Sequence, residues 1–406
     1  MKQRVALRFA WFALVLATLL VALPAHAAQP APQHAKPAIT ASACDASAAV
    51  SANDIALPGG AFGRVCVPSA GWNGDLIVYA HGYVVPGPEP QFANLTLPGA
   101  SVDLPTLIQQ FGYAFATATY RRNGLTVLEG VQDLRELIAK FPTTAGRTPT
   151  HTYLLGVSEG GLIATLFAER YPLAINGALA ACGPIGNFQQ QIEYFGNFRV
   201  LFDSYFPGVL PGTAAAIPDQ LITNWASQYV PAVMAALATH PISATNLISD
   251  SGAAVDSTNE QTRAASTVST TLDLLWYNVF STNDARTQLG GNPYGNAALL
   301  ARFPGRNLAP FTADITATQA LGAYQTSGKI TVPLVTIHTT GDDVIPFRQQ
   351  QLYGDKVQAA SLRVFPRIVE RYGHCTFGAS DLQFAFFDLI QRGAALRRVF
   401  VPLVGA

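Results

Sequence analysis

Hydrophobic positions along the chain fall into two recurring patterns. Apolar runs at residues 64–68, 75–80, 113–119, 152–155, 175–181, 332–338 and 362–370 are short, and most lack a polar face. Runs of that kind predict strands, the central ones buried on both sides. Between them lie segments with helical spacing. Residues 130–141 place Val131, Leu134, Leu137 and Ile138 on one side and charge on the other. Residues 104–111, 162–170 and 382–391 are read as helices too, with Phe384, Phe387 and Leu389 of the last expected in the core. Strand and helix alternating in this way predict an α/β protein whose mostly parallel sheet is covered on both faces.

The alternation stops after residue 186 and resumes near 329. A stretch that long needs structure of its own. Helical runs at 189–200, 218–229, 231–239 and 259–280 predict a mainly helical insertion over 187–328, a lid above the carboxyl ends of the strands. The sheet domain then comprises 44–186 and 329–406. Aromatic residues are dense in the insertion, among them Phe188, Tyr194, Phe195, Phe198, Phe202, Tyr205, Phe206, Trp225, Trp276 and Tyr277. Most are expected to pack the insertion itself, and a few to line an apolar substrate pocket.

The start of the chain follows neither pattern. Lys2, Arg4 and Arg8 precede an apolar run from Phe9 to Leu23, and Ala25-His26-Ala27 closes it. A basic start, a short apolar core and a small-x-small exit predict a secretory signal peptide over 1–27, cleaved after Ala27. Residues 28–43, rich in Pro, Ala and Gln, read as a flexible linker. Export permits disulfides, and the chain has four cysteines. Of the three pairings, Cys44–Cys66 with Cys182–Cys375 is favoured: one staples the N-terminal segment to the first strand region, the other ties two loops beside the expected site.

Charge narrows the partners. The chain carries 25 basic and 25 acidic residues, and charged residues make up 12% of it, about half the usual share. With no basic stripe to neutralise phosphates, nucleic acid is excluded as an expected partner. No stable membrane insertion is expected of the mature chain. No cofactor and no metal is expected either; the cysteines lack the Cys-x-x-Cys spacing of a metal site. The low charge suits an uncharged or apolar substrate, small or oligomeric.

The candidate chemistry centres on Gly156-Val157-Ser158-Glu159-Gly160-Gly161, between a strand-like and a helix-like run. Strand, sharp turn and helix around Gly-x-Ser-x-Gly make a nucleophile elbow, which lifts a serine hydroxyl to where a histidine can take its proton. Ser158 is the expected nucleophile. Stabilising the developing oxyanion takes two backbone N–H groups: one from Glu159, after the nucleophile, and one from Tyr83 in His81-Gly82-Tyr83, at the end of an early strand. Downstream, Asp342 and Asp343 adjoin at the end of the strand after the insertion. Asp342 is preferred as the carboxylate that orients the base, with Asp343 its alternative. His374, on a loop after the last strand, completes the order serine, aspartate, histidine. Arg121 and Arg122 are read as a solvated loop rather than substrate contacts.

These motifs resemble the α/β-hydrolase superfamily across nearly the whole mature chain. The resemblance implies a triad of Ser158, Asp342 and His374 and an oxyanion hole from the amides of Tyr83 and Glu159. It implies a serine hydrolase, exported by the leader pattern above, and the aromatic insertion with the low charge favours carboxylic esters, small or oligomeric, with apolar or aromatic groups. The alternative is a peptidase of the same fold trimming short peptides from the N-terminus, with Glu159, Glu193 or Asp203 holding the amino group.

Overall fold

The apolar runs pair into one eight-stranded sheet. In the computed structural model, which describes residues 44–96, 103–357 and 363–399, the strands are β1 (Ile55–Ala56), β2 (Phe62–Cys66), β3 (Leu76–Ala80), β4 (Ala114–Ala118), β5 (Thr152–Val157), β6 (Gly177–Ala181), β7 (Leu334–Gly341) and β8 (Val364–Tyr372). Their order is β1-β2-β4-β3-β5-β6-β7-β8. The β2 strand runs antiparallel to both neighbours, and every pair from β4 to β8 is parallel. This is the α/β-hydrolase fold. The expected leader, the linker and Leu362 lie outside the described residues.

Side-chain alternation divides the core between the two faces. Leu76, Val78, Ala80, Leu154, Ala178 and Ala180 point to the side covered by α2 (Val127–Ala145) and α3 (Glu159–Arg170). Ile77, Tyr153, Leu179, Val335 and Ile337 point to the other, where α1 (Leu104–Gln110) and the closing helix Ala379–Val399 pack. Both faces are apolar because both are covered, which is why these strands read as unbroken runs. The closing helix corrects one expectation. Phe384 and Phe387 are exposed, whereas Ala385, Phe386 and Leu389 face the sheet. Phenylalanines crowded at 384, 386 and 387 give no periodic signal, and the helical phase set by Leu389 selects Phe386.

Between β6 and β7 the chain forms α4 (Phe188–Tyr205), α5 (Asp219–Thr223), α6 (Val230–Thr239), α7 (Pro241–Ser251), α8 (Glu260–Leu289), α9 (Ala297–Arg302) and α10 (Ile315–Leu321). The expected helix over 218–229 breaks at Asn224 into α5 and a π-helical turn, Trp225–Tyr229. The α8 helix continues past the expected end at 280 as far as Leu289. A capping box of Asn259 and Thr262 opens it, and left-handed Gly290 closes it. Phe198, Leu201, Phe202, Leu221, Val233, Leu247, Leu274 and Val279 form a hydrophobic cluster belonging to this segment. After β7 come α11 (Arg348–Lys356) and α12, the closing helix. No helix among the described residues is long and apolar enough to cross a membrane. Both favoured disulfides, Cys44–Cys66 and Cys182–Cys375, are formed.

Candidate active site

The turn after β5 carries the serine in a conformation few side chains adopt. Ser158 sits at φ 59° and ψ −124°, and its successor Glu159 begins α3. Its N–H donates to Ala181 O at 2.9 Å and its carbonyl accepts from Gly161 N–H at 2.8 Å, so the turn is fixed from both sides. The glycines are a packing requirement. A Cβ on Gly156 would lie 1.9 Å from Gly160 O, and one on Gly160 would lie 2.0 Å from Ala80 O. Strand and helix touch backbone to backbone, and only this contact lets the serine stand above the sheet.

Three side chains from distant parts of the chain meet there. Ser158 Oγ is 3.0 Å from His374 Nε2, and His374 Nδ1 is 2.9 and 3.0 Å from the two oxygens of Asp342. Asp342 is held from below. The N–H groups of Val344 and Ile345 donate to its Oδ1, and His338 Nε2 lies 3.4 Å from its Oδ2 while bonding Ile345 O at 2.8 Å. Burial alone would raise the Asp342 carboxyl, but His374 and His338 bring it down to about 2. Burial pulls the His374 imidazole down, yet Asp342, Asp343 and Asp273 outweigh it and hold the ring above its ordinary value. Asp342 is therefore ionised at neutral pH and faces the ring N–H. Asp343 turns away, its carboxylate accepting from Thr270 and Tyr372 hydroxyls at 3.3 and 3.4 Å.

The histidine loop is secured separately. Thr339 Oγ1 donates to Gly373 O at 2.8 Å, and the disulfide from Cys375 reaches Cys182 at the end of β6. Cys182, His374 and Cys375 are also the one group of three metal-ligand-type side chains among the described residues. Both sulfurs are spent in the disulfide, so the group offers no thiolate.

Opposite the histidine, Gly82 approaches so closely that a Cβ there would lie 3.1 Å from Ser158 Cβ. His81 shapes this turn. Its Nδ1 bonds Gly82 O at 2.7 Å, its ring stacks on Tyr120 at 4.0 Å, and burial lowers its pKa to about 4, leaving it neutral. Tyr83 sends its hydroxyl to Phe280 O on α8 at 3.0 Å and lines the same cavity as Ser158. The Glu159 N–H opens α3, where helix geometry supplies no intrahelical acceptor. Its carboxyl is buried, accepts from Thr126 N–H at 3.0 Å, and is pushed up to about 8 by that burial.

A cavity of about 80 Å³ lies beside Ser158, lined by Tyr83, Glu159, Ile192, Phe195, Tyr277 and Ile345 among others. Tyr277 stacks on Phe195 at 5.1 Å and lines the cavity together with Ser158. Nothing in the sequence separates Tyr277 from the other aromatics of α8. It faces the serine because α8 is fixed in one rotational setting by Tyr83 on Phe280 O and Thr270 on Asp343. Phe198, Phe202, Phe206 and Trp225 belong to the insertion's own core. A larger open cleft of about 600 Å³, near Ile217 and Arg286, holds none of the triad or oxyanion groups.

Other candidate residues are engaged elsewhere. Asp203 pairs with Arg199, and Glu193 accepts from Gln189. Arg121 and Arg122 pair with Asp133 and Glu129 rather than standing in solvent.

No protein-family model and no curated protein matches the chain. Solved structures with similarity to it include proline iminopeptidase of Mycobacterium smegmatis, at 15% identity and TM-score 0.43 over 84% of this chain and 99% of that one. An esterase of Pyrococcus furiosus gives 12% and 0.42 over 92% and 96%. The acylaminoacyl peptidase of Pyrococcus horikoshii gives 13% and 0.41 over 82% of this chain, which spans 39% of the peptidase's length. Likeness at this level concerns the fold.

Proposed function

We propose that this protein is an exported serine hydrolase that cleaves carboxylic esters through an acyl-enzyme on Ser158. The observation that carries the reading is the line Ser158 Oγ, His374, Asp342, each within 3.0 Å of the next. His374 Nε2 accepts the hydroxyl proton as Oγ bonds the ester carbon, and Asp342 keeps Nδ1 protonated and stabilises the imidazolium. The N–H groups of Tyr83 and Glu159 receive the charge that develops on the carbonyl oxygen. Collapse breaks the carbon–oxygen bond, and the alcohol leaves with the proton from Nε2. Water, deprotonated by the same nitrogen, then frees the acid and restores the serine.

The apolar cavity beside Ser158 supports an ester of uncharged groups, and helices α4 and α8 act as the lid above it. Export is supported by the leader pattern of residues 1–27 together with two disulfides. The peptidase alternative draws on one observation, that Glu159 alone of its three expected acids lines the cavity. A fluorophosphonate probe should label the protein and fail on Ser158→Ala, and p-nitrophenyl esters should turn over faster than aminoacyl or prolyl p-nitroanilides. Absence of labelling would end the serine-hydrolase reading; faster anilide turnover would replace esterase with peptidase.

A further inference from the structure

Resting on that reading, we infer that the acyl half of the substrate is short and uncharged, about six heavy atoms at most, and that Phe195 and Ile192 set this limit. The cavity at Ser158 measures about 80 Å³. One water needs roughly 10–15 Å³ by this measure, so the space takes about six groups of water or methylene size. Pockets for drug-sized ligands run to about 300–1,000 Å³. Phe195 and Ile192 stand between the cavity at Ser158 and a second cavity of about 30 Å³ that both also line, and Phe195 stacks on Tyr277, 5.1 Å apart and 6° from coplanar. Phe188 closes the side, itself stacked at 5.5 Å on Tyr324. These rings belong to the insertion, so the insertion sets the depth.

The walls also decide polarity. Gln191 gives one amide N–H to Val344 O at 2.8 Å, and Ser281 its hydroxyl to Tyr277 O. The remaining oxygens of Gln191 and Glu159 are enclosed and do not open to solvent-sized space. Glu159 is protonated below about 8. No wall residue offers a counter-charge, and burying an unpaired carboxylate costs several kcal/mol. A terminal carboxylate on the acyl chain is therefore rejected.

The test is kcat/KM for p-nitrophenyl esters from acetate to dodecanoate, plus the hemisuccinate, on the full protein. The expected profile peaks at butyrate or hexanoate and falls about tenfold or more by decanoate, with the hemisuccinate at least about tenfold below butyrate. Phe195→Ala and Ile192→Ala should move the peak to longer chains, and Val344→Phe should move it toward acetate. Should a variant fail to fold, the unmutated profile still decides. Activity that is flat or rising to dodecanoate, and lost in Ser158→Ala, overturns the chain-length inference while leaving the esterase reading intact. Absence of Ser158-dependent turnover at every length takes down both.

Discussion

Cys182 directly follows β6 and Cys375 follows His374, so the disulfide between them fastens the histidine loop to the end of a sheet strand. The bond closes a separation of 193 residues, and its loss should cost about 2–4 kcal/mol of stability. A purely structural bond would do no more. Because the imidazole must stay 3.0 Å from Ser158 Oγ, a looser loop should also slow fluorophosphonate labelling of the folded enzyme by about 10- to 100-fold in the Cys182→Ala/Cys375→Ala double variant. The Cys44→Ala/Cys66→Ala variant lowers the unfolding midpoint with labelling unchanged. Equal labelling rates in the two doubles would deny the first disulfide any positioning role.

The two adjacent aspartates should separate cleanly. Asp342→Asn removes the carboxylate facing His374 Nδ1 and should lower kcat by about 10⁴. Asp343→Asn should lower it less than about tenfold, since that side chain bonds Thr270 and Tyr372. A second signature lies in pH. As the base of the proposed mechanism His374 must be neutral, so kcat/KM should rise with pH through its pKa, which lies above the ordinary 6.5. Asp343 and Asp273 both contribute to that elevation. In Asp343→Asn the rising limb should shift to lower pH; a limb that stays in place would show that Asp343 does not influence the imidazole.

Much of this site can be read from the chain because its parts obey local rules. Gly156 and Gly160 must be glycine where strand and helix pass at contact distance, Ser158 stands between them, and the buried strands announce themselves by unbroken apolar runs. Asp342 over Asp343 is set by tertiary context: His338 on β7 and two backbone N–H groups hold the first, while the insertion takes the second. Tyr277 and Phe195 are hidden for a related reason. Their helices are aromatic on several sides, and only packing against the loops that follow β3 and β7 decides which ring faces the serine. Phe384 and Phe387 failed as core positions because helical phase cannot be read where phenylalanine recurs on opposite sides of the helix.

Gly160 tests the elbow without touching a catalytic group. A Cβ there would meet Ala80 O at 2.0 Å and His81 O at 2.6 Å, both backbone atoms that cannot rotate aside. Gly160→Ala should cost more than about 3 kcal/mol or prevent folding. At Gly161 the nearest atoms would be 3.0 Å away, so Gly161→Ala should cost clearly less. Urea midpoints of the two variants decide it, and equal midpoints would mean that strand and helix can part at this turn.

Glu159 places a carboxyl in the interior beside the nucleophile, and that placement should be visible in stability. Its folded pKa of about 8 lies above the ordinary 4.5, so the folded state holds the proton more tightly than the unfolded chain. Unfolding releases that proton between those values, and stability falls with rising pH across the window by roughly 1.4 kcal/mol per unit at most. A glutamine amide at this position is neutral throughout and can still accept from Thr126 N–H, so Glu159→Gln should match the parent near pH 4 and exceed it increasingly up to pH 8. Urea unfolding of both proteins at pH 4, 6 and 8 gives the difference directly. A constant difference across that range would mean that Glu159 is ionised where it sits, and the cavity beside Ser158 would then carry a charge.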